Sequence, residues 1–154
     1  MFLLGSMSDR EEGGILGLVE LLHSPNAHVT GIAAGALWNL VAGNSENQAQ
    51  LRQHDGILPL VRLLECALDE VVIISTGALA AACTDSPANQ EAVRVAGALT
   101  PLAQLLSSGN EDAMVNSAAA MQVRLFAGCE CRLRIKCLLI GTQPRQRAEP
   151  GRDP

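Results

Sequence analysis

One nine-residue phrase is written into this sequence three times. Gly14-Ile15-Leu16-Gly17-Leu18-Val19-Glu20-Leu21-Leu22 returns as Gly56-Ile57-Leu58-Pro59-Leu60-Val61-Arg62-Leu63-Leu64, and again, more loosely, as Ala98-Leu99-Thr100-Pro101-Leu102-Ala103-Gln104-Leu105-Leu106. Both steps are 42 residues, without a gap. The likeness runs beyond the phrase: between residues 14–52 and 56–94, 15 of 39 positions are identical, among them Gly35-Ala36-Leu37 against Gly77-Ala78-Leu79 and Asn47-Gln48 against Asn89-Gln90. The repeating unit is therefore the whole period. A chain built this way stacks equivalent units, each burying its apolar face on its neighbours.

A period of this length suits two- or three-helix solenoids and also the blades of some propellers. Composition separates the two. Hydrophobic residues are 48% of the 154, yet aromatics are only 2% (Phe2, Trp38 and Phe126). Alanine-rich segments without apolar/polar alternation do not make four-stranded blades. Three helices are expected per period. Ser45–His54 is the first, with Ser45 as cap and Gln48 at the capping-box distance. Its counterpart, Ser86–Ala96, has Ser86 as cap and Pro87 in the first helical position. Asp55-Gly56, and Gly97 one period on, then turn the chain. The second helix, Ile57–Glu65, spaces Ile57, Leu60, Val61 and Leu64 on one stripe. The third, Ala27–Ala42, sets Val29, Ala33, Ala36, Leu37 and Leu40 on one face, matched by Val71, Ser75, Ala78, Leu79 and Ala82. Small residues there shorten the distance between neighbouring helices. The expected fold is all-α, a right-handed solenoid of three-helix repeats.

These segments resemble the armadillo repeat. Its pattern joins a short helix ending in Gly, an Ile-x-x-Leu-Val-x-Leu-Leu helix, and a Val-x-x-x-Ala-Ala-x-Ala-Leu-x-Asn-Leu helix. Residues 15–22 and 29–42 follow the last two, with Ala33-Ala34, Ala36-Leu37 and Asn39-Leu40 in place. The resemblance covers residues 13–122 as repeats 13–54, 55–96 and 97–122, after an N-terminal segment 1–12. It implies a groove lined by the third helices, in which asparagine side chains hold the backbone of an extended peptide. Carried over by position, Asn39 is the first repeat's ladder asparagine, and His28, Gly31, Ile32, Gly35 and Trp38 are its groove-side neighbours. Glu70 and Asp112 align with His28 and would attract a basic segment. The implied function is non-catalytic: binding of an extended protein segment.

Several positions depart from the pattern. Asn39 is followed at its equivalents by Ala81 and Val123, and the slot four before it, tryptophan in the nuclear-import adaptors of this family, is Gly35. Recognition in the importin-alpha manner is not expected. One neutral hydrogen bond nets about 0.5–1.5 kcal/mol, whereas even millimolar affinity needs about 4 kcal/mol. Apolar or charged contacts must therefore add to Asn39.

After Gln122 the pattern stops. Arg124 falls in the slot of Leu40 and Ala82, where an unpaired charge would be costly. Residues 1–123 carry four basic side chains against 13 acids, and residues 124–154 seven against three. The segment 123–154, with Cys129, Cys131 and Cys137, reads as a disordered basic tail. Two organisations stay open: a self-sufficient binding module, or a segment of a longer armadillo scaffold with no site of its own.

The remaining motifs point to no further chemistry. Cys129-x-Cys131-x5-Cys137 lacks the paired spacing of zinc sites, so neither metal nor cofactor is expected. His23, His28 and His54 stand in no triad-like arrangement, and no phosphate-binding loop or nucleophile elbow occurs. An acidic, aromatic-poor chain argues against nucleic acid. No run reaches the roughly 18 apolar residues of a membrane span. A place in the cytoplasm, or also the nucleus, with reduced cysteines, is the matching expectation.

Overall fold

The computed structural model describes residues 7–122. Within them lie eight α-helices, one 3₁₀ turn and no strand: α1 (Met7–Leu21), α2 (Ala27–Val41), α3 (Ser45–Gln53), α4 (Ile57–Arg62) followed by the 3₁₀ turn Leu63–Glu65, α5 (Asp69–Cys83), α6 (Pro87–Val95), α7 (Leu99–Leu105) and α8 (Glu111–Gln122). None of the described helices is long and apolar enough to cross a membrane. The segment 123–154, with Arg124 and three cysteines, and residues 1–6 lie outside the described residues.

The period is built into the packing. Leu22, Leu64 and Leu106 are buried to 4%, 5% and 9% exposure, so side chains 42 apart meet like surroundings. Leu37 and Leu79 are fully buried, with Met121 in the third place. Left-handed backbone recurs on the same register: Gly43 and Asp85 at φ 69° and 53°, Asp55 and Gly97 at 56° and 81°. Glycine and aspartate both tolerate that region at low cost. Gly56 itself is helical, and it is needed for space. A Cβ there would stand 2.4 Å from Leu51 Cδ1 and 2.8 Å from Val19 Cγ2.

The short helices are held by a repeated pair of amides. Asn47 Nδ2 donates to the Leu40 carbonyl and Asn89 Nδ2 to that of Ala82, both at 2.8 Å. Gln48 and Gln90 donate to the Val41 and Cys83 carbonyls at 3.3 and 3.0 Å. Each pair satisfies the open C-terminal carbonyls of the third helix before it. Gln48 also bonds the Ala81 carbonyl at 3.0 Å, joining one repeat to the next.

Two expectations are corrected. The cap of α3 is Asn44, whose side chain accepts from the amides of Glu46 and Asn47, so Ser45 is already helical and Gln48 closes no capping box. Ser86 caps α6 by position only, with no side-chain bond, while Pro87 does open the helix. The chain also passes through Gly13-Gly14 inside α1, with no turn like Asp55-Gly56.

The buried stripe of the third helices holds in the second repeat and opens in the first. Val71, Ala78 and Ala82 are buried at 3%, 0% and 0%, whereas Leu40 is 39% exposed and Val29 and Ala36 are half-buried. This side of α5 packs on α2. Among the described residues, no preceding third helix covers the same side of α2.

Candidate functional site

The third helices α2 and α5 lie side by side and enclose a groove of about 340 Å³ lined by His28, Gly31, Ile32, Gly35, Glu70, Val71 and Ile74. The approach is close enough to favour glycine at Gly31 but not at Gly35. A Cβ on Gly31 would stand 3.1 Å from Val71 Cγ2, and one on Gly35 3.6 Å from Ile74 Cγ2. The groove floor is aliphatic, and Ile32 rises from it 75% exposed. Its rim is set by the two helix starts. Asn26 caps α2 by accepting the His28 amide at 3.0 Å, which fixes His28 in the first turn. Glu70 occupies the same place on α5, beside Asp69. Carboxylates are favoured there by the helix dipole, whether or not a ligand binds.

The groove gathers five of the residues singled out from the sequence: His28, Gly31, Ile32, Gly35 and Glu70. Asp112 is exposed in the first turn of α8, one helix further along the stack and outside this lining. Trp38 and Asn39 also lie outside it. At 1.5 Å per residue they sit about 10 Å beyond Ile32 along α2. Asn39 is exposed. Trp38 is half-buried against the core, with its ring over Gly77: a Cβ on Gly77 would be 2.6 Å from Cη2, 2.7 Å from Cζ3 and 2.8 Å from Cζ2. The indole is thus a packing element of the α2–α5 junction.

Sequence reasoning missed Val71 and Ile74 as groove residues. The signal was available, since Ile74 stands 42 after Ile32. The third member of that series, Asn116, donates to the Ile73 carbonyl at 3.2 Å and ties α8 to α5. The arrangement offers an open aliphatic trough with one carboxylate at its lip, suited to receiving a side chain of an extended segment. Among the described residues, no three His, Cys, Asp or Glu side chains come together as a metal site would require.

Comparison with known proteins agrees with this geometry. A model of the Armadillo/beta-catenin-like repeat matches residues 10–42. No curated protein matches the chain. Among solved structures, a designed armadillo repeat protein in complex with peptide (KR)4 is 32% identical, with a TM-score of 0.68 over 74% of this chain and 48% of that one. Computationally designed armadillo repeat proteins for modular peptide recognition are 30% identical, with a TM-score of 0.70 over 86% of this chain and 55% of theirs. Another designed armadillo repeat protein is 29% identical, with a TM-score of 0.66 over 70% of this chain and 45% of that one. The chain spans about half the length of the solved structures it matches.

Proposed function

We propose that this chain, which belongs to the armadillo-repeat family, is a non-catalytic protein-binding module that seats an extended segment in the groove between α2 and α5. The observation that carries the reading is the groove itself. Ile32, Val71 and Ile74 offer apolar contact, Gly31 and Gly35 leave room for a side chain, and Glu70 sets one negative charge at the rim. A basic segment fits best, because residues 1–123 carry four basic side chains against 13 acids and would draw cations from a distance. The peptide complex of the designed relative supports this choice. Binding rests on apolar contact and charge, with Asn39 able to add an amide contact further along α2. The cytoplasm or nucleus suits such a partner.

The probe is a fluorescein-labelled (KR)4 peptide titrated against the 154-residue chain and followed by anisotropy. Ile32→Asp and Glu70→Lys are both exposed changes. The first removes apolar contact, and the second reverses the rim charge. Glu70→Lys is expected to weaken capture at least tenfold at low salt with helicity retained. Ile32→Asp is expected to weaken capture of a peptide that alternates Leu with Arg. Binding that ignores both changes would sink the proposal.

The side of α2 that carries exposed Leu40 and half-buried Val29 and Ala36 favours a second reading, a stacking segment with no site of its own. That reading requires that neither peptide bind.

A further inference from the structure

The groove changes character from one step of the stack to the next. The third helices pack in series, α2 on α5 and α5 on α8. Each brings one equivalent pair of side chains to the groove: His28 and Ile32 on α2, Glu70 and Ile74 on α5, Asp112 and Asn116 on α8. Residues four apart on a helix stand one above the other, so each pair shares a face. At the α2–α5 step the rim holds one imidazole and one carboxylate over an aliphatic trough. At the α5–α8 step both rim positions are carboxylates, Glu70 and Asp112, and both are exposed. Below them, Asn116 stands where the other two repeats have isoleucine. This amide is half-buried and held in place, since its Nδ2 donates to the Ile73 carbonyl at 3.2 Å. Among the described residues its oxygen accepts no hydrogen bond, yet it is not walled off as the Ser117 hydroxyl is. Asn116 therefore offers a positioned acceptor, one turn from the Asp112 carboxylate.

We propose that the groove selects two side chains of opposite character, an inference that rests on the peptide-binding reading above. The α2–α5 trough takes an aliphatic side chain. The α5–α8 step takes an arginine, whose guanidinium donates to Asn116 Oδ1 and to the Asp112 carboxylate, with Glu70 adding its charge from the facing helix. The cation belongs at this step because two carboxylates attract it here, whereas the imidazole of His28 offers no negative charge at the other. Arginine suits the site better than lysine. Its planar fork of five donors serves an amide oxygen and a carboxylate together, while an ammonium is a compact point charge that any stretch of the acidic rim holds alike. Spacing sets the order of residues. Packed helices lie about 8–10 Å apart, and side chains two apart on an extended segment share a face at about 6.6–6.8 Å. The length of the arginine side chain covers the difference, so the preferred segment is Leu-x-Arg. In Leu-Arg the two side chains point to opposite faces.

Three fluorescein-labelled peptides titrated against the full chain at low salt test this: Lys-Ser-Leu-Ala-Arg-Ser-Lys, its Leu-Ala-Lys counterpart, and its Leu-Arg-Ala counterpart. All three carry the same charge, so long-range attraction is common to them. Anisotropy is expected to show the Leu-Ala-Arg peptide binding about fivefold more tightly than either of the others, the worth of one hydrogen bond. Asn116→Ile, which installs the residue of the other two repeats, is expected to abolish that preference and leave binding of the Leu-Ala-Lys peptide unchanged. Asp112→Asn, an exposed and nearly isosteric change, is expected to abolish the preference as well. Far-UV circular dichroism checks folding, and should Asn116→Ile lose helicity, Asp112→Asn decides alone. Equal binding of all three peptides overturns this inference and leaves the groove reading standing. So does a preference that survives the substitutions. A chain that binds none of the three overturns both.

Discussion

Asn89 donates its side-chain amide to the Gln48 carbonyl at 2.9 Å, across 41 positions of sequence, and to the Ala82 carbonyl at 2.8 Å. Its oxygen accepts from Arg52 Nη1 at 2.7 Å. One fully buried side chain thus holds the end of a third helix and two successive short helices together. Asn47, at the same place one repeat earlier, makes only the counterpart of the Ala82 bond, donating to the Leu40 carbonyl. The same residue type serves within a repeat in one place and between repeats in the next.

Replacing Asn89 by Leu leaves two buried carbonyls without this donor, which costs about 2–4 kcal/mol. Asn47→Leu removes a single, partly buried bond, at about 1 kcal/mol. Urea melts of the two variants should rank in that order. Equal losses would show that Asn89 does nothing between repeats.

Gly77 is the floor on which Trp38 rests. A methyl group there overlaps the ring, and overpacking of this kind costs about 1–3 kcal/mol. Gly77→Ala should also shift the emission of Trp38, the only tryptophan, to longer wavelength as the ring is pushed outward. Gly35→Ala is the opposite case. Its Cβ would meet Ile74 at ordinary contact distance, 3.6 Å, and alanine is favoured over glycine inside a helix by about 0.5–1 kcal/mol. A higher urea midpoint is expected. A lower one would place Ile74 against backbone that cannot yield.

The pattern of Leu22, Leu64 and Leu106 was enough to find helices, period and buried stripe, because those depend on spacing within the chain. What spacing could not decide was which side of a helix finds a neighbour. Leu40 reads as core by the same periodicity that correctly places Ala82, and it is exposed because no third helix precedes α2 among the described residues. Side-chain direction was hidden for a similar reason. Trp38 looks like a groove anchor until Gly77, 39 positions later, is seen to have been kept small beneath it. Asn44 and Ser45 are adjacent residues with equal capping chemistry, and only backbone angles choose between them.

Burial pushes the Cys83 thiol up to about 12 from 9.0. In the unfolded chain the same thiol ionises near its ordinary value, so the folded state holds a proton that the unfolded state has released. Stability is therefore full below about pH 9 and is lost as the pH rises toward 12, at up to about 1.4 kcal/mol per pH unit. Cys83→Val, which installs the residue found at the equivalent Val41, should flatten that slope. In the native state at pH 8, iodoacetamide should modify half-buried Cys66 at least tenfold faster than Cys83, because the thiolate is the reacting form. Peptide mapping would read both rates. Equal labelling would mean that α5 opens readily at its C-terminal end.

Ser75 and Ser117 stand 42 apart at a position where the first repeat has Ala33, and all three are buried to 1% exposure or less. Neither hydroxyl oxygen has a hydrogen-bond partner. An unsatisfied buried hydroxyl costs about 1–3 kcal/mol, whereas an alanine of nearly the same shape carries no such penalty. Ser75→Ala should therefore stabilise the fold by about 1 kcal/mol. Ser117→Ala should do the same, and because the two sites occupy different repeats and share no hydrogen-bond network, the double variant should come close to the sum. Urea midpoints of the three variants decide the matter. A fall in any of them would mean that the hydroxyl bonds a neighbouring carbonyl or a trapped water in solution, and that the small residue at this register is chosen for polarity as well as size.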